Sequence, residues 1–118
     1  MSFASYLTST NSSGLFELNN EGTVLYSRFR LNNRLVNSDP ELVGQDFFEE
    51  IAGFENAKEL RRIFNNFVKG NQFTDNFVFD CRFAEKTVPV RVMMVRAFEN
   101  NYPNHADIVI LDIRNSAY

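Results

Sequence analysis

The sequence predicts an α+β domain: a five-stranded antiparallel sheet with helices on one face. Three observations carry this. Residues 72 to 114 hold three long stretches of alternating character, one long amphipathic helix precedes them, and a short hairpin lies near the N-terminus. In Phe73 to Phe83, Phe77, Phe79, Cys81 and Phe83 point one way, and Val78, Asp80 and Arg82 the other. Val88 to Phe98 sets Val90, Val92 and Met94 against Arg91, Met93 and Val95. Ile108 to Arg114 sets Val109, Leu111 and Ile113 against Ile108, Ile110 and Asp112. The connections, 84 to 87 and 99 to 106, are polar, so these stretches form an antiparallel meander.

The rest of the chain supplies the remaining elements. Residues 1 to 13, rich in Ser, Thr and Asn, are a tail or a short cap helix with the apolar stripe Phe3, Tyr6 and Leu7. Gly14 to Asn19 is a strand, Asn20-Glu21-Gly22 a turn, and Thr23 to Tyr26 the return strand. Residues 27 to 43 are broken and polar, suited to one or two short helical turns. Asp39 can cap one of them, with Pro40 at its first position and Gly44 at its end. Asp46 to Ile51 is a short helix turning Phe47, Phe48 and Ile51 inward. Asn56 and Glu59 have capping-box spacing. The helix they open runs to about Lys69 and closes on Gly70. Its apolar face is Leu60, Ile63, Phe64, Phe67 and Val68; Lys58, Arg61, Arg62 and Asn65 make the wet face.

At 118 residues the chain is one domain, able to bury a core without staples. Against 15 acidic residues stand 12 basic ones, a net charge of -3, which disfavours a nucleic-acid partner. A single cysteine forms no internal disulfide and fits a reducing compartment. No apolar run approaches the roughly 20 residues of a membrane span, and the N-terminus has no signal-peptide pattern. A cytoplasmic location is the expectation. The 13 Phe with no Trp suit either a Phe-packed core or an aromatic-lined pocket.

The order of elements and three local stretches resemble the PAS sensor family. Gly14 to Tyr26 is similar to the family's opening hairpin. Asp39 to Ala52 is similar to the run into its long helix, with Pro40, Glu41, Leu42, Gly44 and Phe47 in the usual places. Asp112-Ile113-Arg114 resembles the Asp-Ile-Thr that ends the last strand, with Arg for Thr. The resemblance covers residues 14 to 114, leaving 115 to 118 as a tail toward a following domain. Within the family the chain looks like the photoactive yellow protein group. It shares the Gly-x-x-Phe-Phe run from Gly44 to Ala52, the Phe-rich first long strand and the Pro-Val-x-Val second one. In chromophore-bearing members a cysteine two residues after that alanine holds the cofactor as a thioester; here that residue is Phe54. The Tyr and Glu that hydrogen-bond the chromophore have no match in residues 26 to 35. The resemblance therefore implies the fold and a sensory role, and no covalent chromophore.

Catalysis finds little support. His105, the only histidine, falls in a Pro-Asn-rich loop and reads as a surface residue, and a haem-type PAS presents its axial histidine from elements around the pocket. Glu49, Glu50 and Glu55 read as solvated charges, Cys81 as a small buried hydrophobe. Met93 and Met94 face opposite ways, so no metal site is expected. A small enzyme or carrier on a curved-sheet, cone-like fold is the alternative function. It needs a buried acid or base on an inward position, and none of the inward residues is ionised at neutral pH.

A small, flat, apolar ligand would lie among Phe48, Phe54, Leu60, Ile63, Phe64, Phe67, Phe77, Phe79, Cys81, Val92, Met94, Val109 and Leu111, although large aromatic side chains can equally fill that space. The outward positions Val78, Met93, Val95, Ile108 and Ile110 form an apolar patch rimmed by Asp80, Arg82, Arg91 and Asp112. Phe3, Tyr6 and Leu7 either cover that patch or join it in a homodimer, as the resemblance implies. The output residues are then Asp112, Ile113 and Arg114, leading to an effector domain in the same or a partner protein.

Overall fold

The structure, a computed structural model, describes residues 3–32, 34–37, 40–99 and 106–115. The strands are β1 (Ser12–Leu18), β2 (Val24–Leu31), β3 (Arg34–Asn37), β4 (Thr74–Arg82), β5 (Thr87–Glu99) and β6 (Ala106–Asn115). They make one six-stranded sheet in the order β3-β2-β1-β6-β5-β4, every pairing antiparallel. The N-terminal hairpin thus pairs beside the last strand, and the three long strands form the expected meander. Helix α1 (Phe3–Leu7), a π-helical turn (Phe47–Ile51) and helix α2 (Ala57–Lys69) pack on the same face of the sheet.

Six strands rather than five is a correction. Residues 27 to 37, expected to be broken into helical turns, continue β2 and add the edge strand β3. Asn32 stands at the turn with φ 53°, left-handed backbone that asparagine tolerates well. Beyond it, Pro40–Leu42 is the short helical turn the sequence expects, and Gly44 follows with φ 91°, where any side chain would be strained. The capping role assigned to Asp39 and the loop position of His105 lie outside the described residues.

Side-chain hydrogen bonds start the π-helical turn and tie α2 to the sheet. Asp46 caps the π-helical turn, its Oδ1 accepting from the Phe48 and Glu49 amides at 2.9 and 3.0 Å, and its Oδ2 pairs with Arg61 of α2. Arg61 in turn lies over the Phe48 ring, 4.9 Å from its centroid. Asn56 precedes α2 but makes no side-chain cap, which corrects the capping box. Its Nδ2 donates to the Asp80 carbonyl at 2.7 Å and its Oδ1 accepts from the Arg82 amide at 2.9 Å, so it splices α2 to the open edge of β4. Glu59 reaches Arg82 instead. At the other end, Gly70 donates to the Asn66 and Phe67 carbonyls, and Arg96 of β5 donates to the Phe67 carbonyl at 2.7 Å.

Helix α1 is neither a tail nor a cover for the outer face. Phe3 and Leu7 are buried on the inner face, and the Phe3 ring packs on Phe16, Phe29 and Phe47 at 5.0, 5.5 and 6.0 Å. Tyr6 leans on Phe29 at 5.2 Å. Gly14 makes this possible, because a Cβ there would collide with the Phe3 ring. The helix belongs to the same core as the rest.

Candidate functional site

The residues expected to line a ligand pocket do come together, as the core between α2 and the sheet. Phe48, Phe54, Leu60, Phe64, Phe67, Phe79, Cys81, Val92, Met94, Val109 and Leu111 are buried; Ile63 and Phe77 are packed against them, half-buried. The strand register explains the convergence. Phe79 pairs with Val90, Cys81 with Val88, Met94 with Leu111, and Val92 with Ile113, so inward positions of β4, β5 and β6 lie side by side. Against them the aromatic rings form a continuous series: Phe16 to Phe47 at 4.6 Å, Phe47 to Phe48 at 5.1 Å, Phe48 to Phe64 at 5.1 Å.

Phe54 sits just before α2, with its ring 5.9 Å from that of Phe79. Cys81, one alternation further along β4, has no exposed surface. Burial, aided by the Asp80 carboxylate beside it, pushes the Cys81 thiol up to about 12, so it stays protonated and unreactive at neutral pH. No described group of His, Cys, Asp and Glu is arranged to hold a metal ion. Phe48 and Phe54 floor an open depression of about 660 Å³ beside α2, rimmed by Glu49, Glu55, Lys58, Arg61, Arg62 and Asn65. Glu55 stands on this rim and is exposed, as its reading as a solvated charge expects.

On the outer face, Met93, Val95, Ile108 and Ile110 are half-buried and Val78 is 66% exposed. Val95 stands opposite Ile110, and Ile108 opposite Ala97, so the apolar residues are contiguous as expected. Phe3, Tyr6 and Leu7 are not part of this surface. Their placement in a dimer interface is corrected, because the inner core of the same chain already occupies Phe3 and Leu7. The output residues split between the faces. Ile113 is in the core, while Asp112 and Arg114 face outward, held by two hydrogen bonds from Arg114 to Asp112 at 3.1 and 3.0 Å. That pairing raises the Arg114 pKa, chiefly through the hydrogen bonds and then through the charge of Asp112.

No protein-family model matches the sequence, and none of the curated proteins does. Among solved structures, the chain is similar to the photoactive yellow protein domain of the sensor histidine kinase Ppr from Rhodospirillum centenum. The two superpose with a TM-score of 0.56 at 20% identity, over 97% of this chain and 99% of that one. The likeness is one of fold, and it confirms the PAS-type architecture that the sequence expects. Among the described residues no helix is long and apolar enough to cross a membrane.

Proposed function

We propose that this PAS-type fold serves as a sensory module, without enzymatic activity, that passes a change of core packing to an effector. The observation that carries the reading is Phe54. It fills the place of the chromophore cysteine with a ring packed on Phe79, at the join between α2 and the sheet. Phenylalanine forms no thioester, so the module works by an apolar ligand held without a covalent bond, or by protein contacts alone. The buried core supports a non-catalytic role: among its described residues the titratable side chain is Cys81, whose thiol stays neutral. The single buried thiol also suits a reducing, cytoplasmic setting. Output runs along β6, where Ile113 touches the core and its neighbours Asp112 and Arg114 face outward. The apolar residues Met93, Val95, Ile108 and Ile110 form a homodimer contact.

Native mass spectrometry with an absorbance spectrum tests the reading. The protein purified from cells should show the mass of its 118 residues, with or without a dissociable apolar ligand, and no visible absorption band. Added mass that survives denaturation, with a visible band, would overturn it.

A further inference from the structure

The outer face carries a charge pattern that a merely solvated sheet does not require. One register row runs Arg30, Ser13, Arg114, Arg91, Val78 across five strands; the next runs Arg28, Leu15, Asp112, Met93, Asn76. Arg91 and Arg114 therefore stand directly opposite each other, a like-charge cross-strand pair that disfavours the sheet. Asp112 is the one buried carboxylate here, and Arg114 occupies it. Among the described residues no carboxylate pairs with Arg28, Arg30 or Arg91. Two grooves of about 460 and 300 Å³ meet at Asp112 and Arg114, the first walled by Arg91, Met93 and Val78, the second by Arg28, Arg30 and Leu15. Guanidiniums and apolar side chains thus line both grooves, on a chain whose net charge is -3.

We propose that this face binds an acidic, extended peptide segment of a partner protein. Its carboxylates sit on Arg28, Arg30 and Arg91, on either side of the Asp112–Arg114 pair, and its apolar side chains lie on Leu15, Met93 and Val78. Guanidinium forks match carboxylates two bonds at a time, as Arg114 and Asp112 already do. From Arg30 to Arg91 is three strand spacings, roughly 14 Å, which about four residues of extended chain span. A continuous polyphosphate would have to cross the Asp112 carboxylate, whereas a peptide with discrete acids straddles it. The surface shares Met93 with the proposed homodimer contact, whose other residues, Val95, Ile108 and Ile110, lie in the rows beside these.

The probe is a labelled octapeptide of alternating Glu and Leu, read by fluorescence anisotropy, with its Gln-Leu counterpart as control. The Glu peptide should bind at least about tenfold tighter than the Gln peptide and weaken as salt rises. Arg30→Glu with Arg91→Glu should lose that advantage, while sizing of the double variant stays as in the parent. The melting temperature of Arg91→Glu alone should hold or rise, since an attractive pair with Arg114 replaces a repulsive one. Equal binding of the two peptides, binding unaffected by the double variant, or equally tight binding of a single-stranded oligonucleotide or an anionic vesicle would overturn the proposal. So would a fall in the Arg91→Glu melting temperature, which would make Arg91 a structural residue.

Discussion

Cys81 shows how much one residue's surroundings decide. Its alternation with Phe79 and Phe83 is enough to place it inward, and the burial that follows takes away its reactivity. The consequence is a pH dependence with a definite sign. Below about pH 9 the thiol keeps its proton in both the folded and the unfolded chain. Between about 9 and 12 only the unfolded chain loses it, so stability falls as pH rises, by up to about 1.4 kcal/mol per pH unit. Urea titrations at pH 8, 9 and 10 should show a shallower loss for Cys81→Ala than for the parent; parallel losses would mean that the thiol titrates normally when folded. Asn56 illustrates the opposite case. Its spacing from Glu59 reads as a capping box, but the unpaired Asp80 carbonyl and Arg82 amide lie within its reach. That geometry exists only after β4 and α2 have met, so nothing local in the sequence announces it. The opposition of Arg91 and Arg114 likewise depends on strand register between residues more than 20 apart in sequence.

At the scale of elements, legibility follows periodicity. The face of α2 and the alternation of β4, β5 and β6 repeat often enough to fix both type and direction, and the structure keeps their bounds within a residue or two. Strand β3 is only four residues long, and its turn signal, Asn32-Asn33, stands in a segment whose polarity also suits short helices. Helix α1 is legible as an apolar stripe, but its destination is not. The clue is Gly14, a strand residue with no side chain exactly where an inward one would be expected. Gly14→Ala would force the Phe3 ring aside, and overpacking of that kind costs about 1–3 kcal/mol. Chemical denaturation should show a loss in this range with the slope unchanged, whereas an unchanged midpoint would mean that α1 does not hold Phe3 against the strand.

For the whole molecule, the sheet separates an inner face committed to packing from an outer face that combines apolar and basic rows. Because Phe3 and Leu7 belong to the inner core, removing the N-terminus would disturb the fold and could not report on assembly alone. Ile110→Lys is the cleaner probe, since Ile110 lies on the outer face opposite Val95. Light scattering at high micromolar concentration should find the parent dimeric and this variant monomeric; a monomeric parent would exclude the homodimer. Strand β6 contributes to both faces: Ile113 packs against Val92 while Asp112 and Arg114 point the other way. A sensory role requires that a change near Phe54 be felt there. The most direct measurement is therefore an amide NMR comparison of the parent protein with Phe54→Ala. If packing relays through Phe79, Val90 and Val92 to Ile113, the amides of Ile110, Asp112 and Arg114 should shift along with those around the substitution. Shifts confined to α2, Phe79 and their immediate neighbours, with β6 unmoved, would contradict a relay from the core to the outer face.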